Sequence, residues 1–147
     1  MNKNILGQSL FEVVVAIGIV SAILVGVMSL ATHSISNSTF SREQALAQTY
    51  TQEAVEWLRG QRDADWDTFI GHASSTGTAW CLQTLSWDNS GACGVSETIS
   101  GTNFRRQVEL SIISMDEIEV VVGTSWEGKG GQHKSEVTTK LNNWKAR

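Results

Sequence analysis

The spacing of apolar residues changes twice along the chain. Residues 13–32 contain no ionisable side chain, and residues 40–59 place apolar side chains at helical spacing. Residues 104–141 then alternate between apolar and polar side chains with a period of two. This order predicts a membrane-length helix, an amphipathic helix and an antiparallel sheet, which together make an α+β fold.

The apolar run is long enough to cross a membrane. Twenty helical residues rise about 30 Å, the thickness of the hydrocarbon core of a bilayer. Lys3, the one positively charged side chain ahead of the run, favours a cytoplasmic N-terminus. A secretory signal peptide and a plain membrane anchor are the alternatives. The signal peptide is disfavoured because its apolar core is usually about 7 to 15 residues long, and because the surroundings of Ala31 make a poor cleavage site.

The second segment predicts a helix that covers a core. Seven of its apolar side chains fall within an arc of about 120° on a helical wheel. Glu43 intrudes on this arc, and Val55 points away from it. Gly60 is the predicted stop signal. A single helix from Ser9 to Arg59 would be about 75 Å long, well beyond ordinary globular lengths. The seven residues of the arc are Phe40, Leu46, Ala47, Tyr50, Ala54, Trp57 and Leu58.

The period-two alternation predicts three strands, at residues 104–112, 118–126 and 135–141. The joins at 114–117 and 127–132 are short enough for antiparallel hairpins. Such a sheet has one apolar face that needs a cover, and the amphipathic helix supplies it.

Residues 71–103 are rich in Gly, Ser, Thr and Asn, which is typical of a loop that runs over the surface. A short helix is predicted at 63–70, where acids precede apolar residues. Cys81 and Cys93 bracket a turn signal at 87–91. Outside the cytoplasm they are expected to form a disulfide, which contributes about 3 kcal/mol by restricting the unfolded chain. Zinc is the weaker alternative, because no histidine pair adjoins the two cysteines.

Composition narrows the function classes. A chain of 147 residues has room for one globular domain. Its 15 acids and 11 bases give a net charge of -4, which argues against a protein that coats nucleic acid. The last 19 residues nevertheless hold five bases and one acid. This stretch, with Arg105 and Arg106, could meet anionic lipid, DNA or an acidic neighbouring subunit; an exposed solubilising surface is the simpler interpretation.

The six tryptophans raise the idea of a sugar-binding platform, but we expect Trp57 and Trp126 to fill the core and the others to lie under loops. The acids Asp116, Glu117 and Glu119 could attract calcium, yet they lack the spaced loop pattern and read as a solvated turn.

The three histidines, His33, His72 and His133, stand without a nucleophile-elbow, zinc-protease or phosphate-loop motif. We therefore predict no active site, no metal and no cofactor; a hydrolase is the least favoured class.

Glu12 is the residue that a plain anchor does not explain. A carboxylate carried to the centre of a bilayer costs up to about 3 kcal/mol, and an ionisable residue at such a place marks function by default. Lys3 is nine residues earlier, and no base follows until Arg42. A cut after Gly7 would create an ammonium at Gln8, which on a neighbouring copy could pair with Glu12. The alternative is a carboxylate that reaches into headgroup water.

The segment from Gly7 through Gln8 to Glu12, followed by Val-Val-Val-Ala-Ile, resembles the class III leader junction of type IV pilins and of the pseudopilins of type II secretion systems. The resemblance implies that a membrane-bound prepilin peptidase cuts after Gly7 and methylates Gln8. It also implies that Glu12, the fifth residue of the mature chain, recruits the next subunit during fibre assembly.

Two features depart from the family pattern. Gln8 stands where an apolar residue is usual, and the proline that many pilins carry in this helix is absent. Gly18 and Gly26 would have to supply any local melting, since glycine costs about 1 kcal/mol in a helix interior. Their competing use is close packing against neighbouring helices.

The sequence thus predicts a minor pilin or pseudopilin with a pilin-like fold, made with a leader at 1–7, a transmembrane and fibre-core helix at 8–34, and an extracytoplasmic domain at 35–147. Within that domain we expect a helix half at 35–59, a loop region at 60–103 and a sheet at 104–147.

It would be held in the bacterial cytoplasmic membrane and then enter a surface or periplasmic filament. The implied partners are other copies or other pilins, prepilin peptidase, the membrane and an assembly platform; no nucleic acid or small-molecule ligand is assigned. The alternative is a single-pass, membrane-anchored extracytoplasmic binding module that never polymerises and keeps residues 1–7.

Overall fold

The structure is a computed structural model that describes residues 6–145, with side chains from residue 10 onward. It divides into two compact units, Met1–Thr39 and Phe40–Arg147. The elements in chain order are α1 (Leu6–Ala64), α2 (Trp66–Ile70), β1 (Thr78–Cys81), β2 (Arg105–Ser114), β3 (Glu117–Gly128) and β4 (Gly131–Asn142).

The described residues of the first unit belong to α1. Their described side chains are exposed, apart from that of Ser36, which is partly buried. Within the described chain, α1 is the one helix long and apolar enough to cross a membrane, and none of its most apolar stretch is buried. The hydroxyls of Thr32 and Thr39 donate to the carbonyls of Met28 and Ile35, four residues earlier. The helix therefore satisfies these polar groups internally, as a helix in lipid must.

The second unit contains a four-stranded antiparallel sheet in the order β1-β2-β3-β4. The α+β class is confirmed, and three strands lie where the alternation places them. The sequence patterns miss one strand, β1, because it lies in the segment predicted as a loop. β1 pairs with β2, and Cys81 lies opposite Gln107. Four residues among glycines and serines are too short to show a period of two.

The end of the long helix is also corrected, because α1 continues past Gly60 to Ala64. Gly60 is exposed and has open space around it, so it lowers the stability of the helix but does not end it. The last turn is held from outside: Trp87 donates to the side chain of Gln61, and Trp144 donates to Asp63. The short helix expected at 63–70 is confirmed as α2, capped by Asp65.

The core lies between α1 and one face of the sheet. Val55 is buried at 6% exposure, which corrects the prediction that it points away from the core. It lies beside Val137 of the edge strand β4, so the sheet reaches further around the helix than the 120° arc allows. The buried helix residues follow one stripe, at Ala47, Thr51, Ala54, Val55 and Leu58, and the facing sheet residues include Val108, Leu110, Ile118, Val120, Val122 and Leu141.

Polar contacts explain the acid on the apolar helix face. The carboxylate of Glu43 accepts a hydrogen bond of 3.1 Å from the indole N–H of fully buried Trp126. About two helical turns after Glu43, the hydroxyl of Thr51 meets that of Thr124 at 2.9 Å. These two bonds tie the helix to β3 at defined positions, because a buried polar group left unpaired is costly.

Arg106 is the main polar anchor between helix, loop and sheet. Its side chain is 3% exposed and its guanidinium lies 2.7 Å from the carboxylate of Glu53. It also donates to the carbonyls of Tyr50 and Leu82, each at 3.1 Å. Arg106 therefore cannot belong to an exposed basic surface with the C-terminal stretch, which corrects the prediction that it could. The reason is the alternation of β2, which places Arg106 on the same face as buried Val108.

The tryptophans act as structural anchors and not as an open sugar platform. Trp126 is fully buried, and Trp57 packs on Trp87 with ring centroids 4.8 Å apart. Five indole N–H groups are hydrogen-bonded, those of Trp66, Trp80, Trp87, Trp126 and Trp144.

The predicted disulfide is confirmed. Cys81 and Cys93 are bonded across a sequence separation of 12, which leaves neither thiol for zinc. The bond fastens the 82–92 loop to the end of β1 and so limits the unfolded chain.

We expect Arg106→Met to lower the free energy of unfolding by about 3 kcal/mol, because it leaves the carbonyl of Leu82 without a donor and removes the ion pair with Glu53. Chemical denaturation followed by tryptophan fluorescence measures the loss. Arg105→Met removes the same charge from the neighbouring position on the other sheet face and should cost less than about 1 kcal/mol. Equal losses in the two variants would contradict the anchor role.

Acid should weaken the last turn of α1 and the cap of α2. The hydrogen bond from Arg62, with a second from Trp144, lowers the pKa of Asp63, and the backbone N–H of Thr68 lowers the pKa of Asp65. Both carboxylates then stabilise the fold above their unfolded pKa of about 3.9, and that contribution is lost as the pH falls through the lower folded pKa. Asp63→Asn with Asp65→Asn should flatten the stability profile below about pH 4, whereas Asp116→Asn should not.

Candidate membrane and assembly site

The first unit presents an uncovered apolar surface. Its large apolar side chains between residues 10 and 30 are 43% to 72% exposed, with Val15 and Leu30 at the two limits. Each would gain about 1.5 to 3 kcal/mol by leaving water. A surface of this size therefore requires lipid or other helices as its surroundings.

Glu12 lies within this apolar surface. Leu10, Phe11, Val13 and Val14 surround it in sequence, and each is more than half exposed. Among the residues with described side chains, no basic group comes within 4.0 Å of the Glu12 carboxylate. A partner for this charge must come from outside the described chain or from water.

Gly7 and Gln8 lie in the first turns of α1, and their side chains fall outside the described part. Most of the predicted leader, residues 1–5, is likewise outside it. Gln8 precedes Glu12 by one helical turn, so the two positions share a face of α1. Cleavage, methylation and assembly at these residues stay predictions.

Gly18 and Gly26 lie inside α1, which is helical through both. A methyl group added at either position would meet nothing within 4 Å. The single helix therefore shows no melting at these glycines, and both positions are open to the close approach of another helix.

The basic C-terminal stretch does not form a free basic patch within the described residues. Lys134 pairs with Glu136 and Lys140 with Glu117, while Lys145 donates to the backbone carbonyl of Asp63. The pairing of Glu117 also fits a solvated turn better than a calcium site. Through residue 145, no three His, Cys, Asp or Glu side chains gather in a way that could hold a metal ion.

Two of the histidines belong to aromatic clusters. His72 stacks on Trp87 with ring centroids 4.1 Å apart, and its Nδ1 donates to the carbonyl of Thr68 at 2.9 Å. His133 lies edge-on to Phe40 at 5.0 Å. This packing gives each ring a structural role.

Sequence reasoning missed the anchors Arg106, Glu53 and Gln61. The sequence did hold a signal for Arg106. It alternates in step with the apolar, inward-facing residues of β2, and a charged side chain at such a position needs a polar partner. Exposed Glu53 and Gln61 carry no comparable signal.

Comparison with protein-family models, curated proteins and solved structures finds no match for this chain. The resemblance to pilins thus stands on residues 7–17 and on the architecture. A long N-terminal helix with an apolar first part, and an antiparallel sheet against its later part, is compatible with a pilin-like fold.

Proposed function

We propose that this protein is a pilin-like structural subunit, a minor pilin or pseudopilin, that α1 holds in the bacterial cytoplasmic membrane with the second unit outside the cytoplasm. Prepilin peptidase cuts after Gly7, and the mature chain joins a filament of type IV pilus type. The observation that carries the proposal is the Glu12 carboxylate, five residues after that glycine, which lies within an exposed apolar helix and has no basic partner among the described side chains.

The transfer from membrane to filament needs a polar driving force. Lipid tails are about as apolar as leucine side chains, so replacing lipid with helix faces gains little from the hydrophobic effect. Shape is one source of attraction, and open Gly18 and Gly26 allow another helix to come close. Charge is the second source, because a carboxylate in hydrocarbon is strongly stabilised by a nearby cation.

The cation in this mechanism is the ammonium of Gln8 on a neighbouring copy. Cleavage creates it, so the uncut precursor lacks the partner and stays in the membrane. A pair in a low-dielectric core is stable while both members are present, and leaving one unpaired costs about 3 to 5 kcal/mol. The pair therefore selects correctly placed subunits.

The second unit serves as a head that stays folded while the helix changes surroundings. Its core lies between residues 47–58 of α1 and the sheet, and the Arg106 and Trp126 bonds lock that contact. The disulfide adds a covalent restraint suited to an oxidising compartment. We assign no enzymatic activity to the second unit.

Glu12→Gln should block incorporation while leaving membrane insertion intact, because it keeps the size of the side chain and removes the charge. Sheared filaments should contain less than about a tenth of the wild-type amount, as expected from a loss above 1.4 kcal/mol. Glu56→Gln, at an exposed position of the same helix that pairs with Arg59, is the matched control and should assemble normally. Wild-type levels of the Glu12 variant in filaments would refute the mechanism.

The mature N-terminus separates the proposal from its alternative. Intact-mass analysis of the native protein should find a chain that begins at Gln8 and carries a methylated free amine. A chain that retains Met1 to Gly7 would identify a non-polymerising anchored module. Pyroglutamate at Gln8 on assembled subunits would rule out the ammonium pairing, because the cyclised residue carries no charge.

A further inference from the structure

A polar hollow of about 340 Å³ lies on the face of the sheet opposite the core. Its residues on β2 and β3 alternate with buried Val108, Val122 and Thr124, so they point away from α1. His133 of β4 also lines the hollow, although its ring packs on Phe40. The disulfide-bonded Cys93 forms part of its wall. Its polar floor and sides come from Arg105, Gln107, Gly123, Ser125, Gln132 and Lys134.

Gly123 shapes this hollow because it has no side chain. It lies between Gln107 on β2 and Glu136 on β4. A methyl group at Gly123 would come within 2.6 Å of Cε of Lys134. The stem of Lys134 therefore rests on Gly123, and this contact sets where its ammonium lies at the edge of the hollow.

Arg105 is the group in the hollow that the fold leaves unexplained. Its side chain is 15% exposed, and its nearest carboxylate partner is Glu127 at 3.7 Å. Within the described residues its guanidinium makes no hydrogen bond, unlike that of Arg106. None of its nitrogens is a buried unpaired atom among the described residues, so the donors that no carbonyl takes are open to an incoming anion.

The acids near the hollow do not fill it. Glu127 and Glu136 are 69% and 43% exposed, so both can turn into water. Glu136 pairs with Lys134, and neither acid lines the hollow. An incoming anion has only to displace these exposed carboxylates.

We infer that this hollow binds a small hydroxylated carboxylate of the sugar-acid class. A carboxylate matches the planar donor pair of Arg105, and Lys134 adds a second positive charge. The remaining groups, Gln107, Ser125 and Gln132, offer amides and a hydroxyl suited to sugar hydroxyls. The inference is independent of filament assembly, because no hollow residue belongs to α1.

The test is an NMR titration of the labelled full chain in uncharged detergent micelles at neutral pH. Galacturonate should shift the Nε–H signal of Arg105 and the amide of Gly123 with a dissociation constant on the order of 1 mM. Galactose lacks the carboxylate and should bind about tenfold more weakly. Phosphate should also bind more weakly, because it cannot use the hydroxyl contacts. Absence of saturable shifts with galacturonate, or tighter binding of phosphate, would overturn the inference.

Two lysines of β4 provide a matched pair of variants. Lys134→Gln removes a charge at the hollow and should weaken galacturonate binding about fivefold. Lys140→Gln removes an equally paired charge six residues further along and should leave binding unchanged. Equal effects of the two variants would show non-specific attraction and overturn the site.

Gly123→Ala tests the shape without changing the charge. The added methyl group should push Lys134 aside and weaken binding about tenfold, while tryptophan fluorescence reports that the fold is kept. Wild-type binding by this variant would contradict the role given to Gly123. Lys134→Gln still tests the site if the alanine variant does not fold, because Lys134 is about half exposed.

Discussion

An apolar helix surface without a cover is the constraint on which the rest of this molecule depends. Side chains such as Leu10 and Leu30 are about 70% exposed, and nothing between residues 6 and 145 buries them. Lipid or other helices must do so. A carboxylate on the same surface, at Glu12, adds a second demand that lipid alone does not meet. The proposed filament satisfies both demands at once, because neighbouring copies bring apolar faces together with a positive charge.

The second unit faces a different problem, which is to hold a helix against a sheet at one register. Apolar packing alone would let the helix slide, because alanine and leucine stripes fit at several offsets. Hydrogen bonds fix the position. Glu43 and Thr51 meet partners on β3, and Arg106 of β2 joins the helix to the loop that follows β1. These bonds are costly to break singly, so the contact is specific as well as stable.

The two faces of the sheet consequently have different tasks. The core face is closed by α1 and its polar anchors, and the guanidinium of Arg106 there binds Glu53 and two backbone carbonyls. The opposite face keeps Arg105 in a hollow walled by the disulfide. Two adjacent arginines thus separate stability from recognition, because successive residues of a strand point to opposite faces.

Local patterns determined a large part of this protein. The apolar run, the helical stripe and the period-two strands each reflect a repeat that a few neighbouring residues display, and they predict the α+β class. The disulfide also follows from short spacing, and the predicted leader junction around Gly7 rests on the same kind of signal. Contacts across long sequence separations required the tertiary structure. It decided that β1 pairs with β2, that α1 passes Gly60, and that Glu43 is paired with Trp126, because each outcome depends on a partner that local sequence does not reveal.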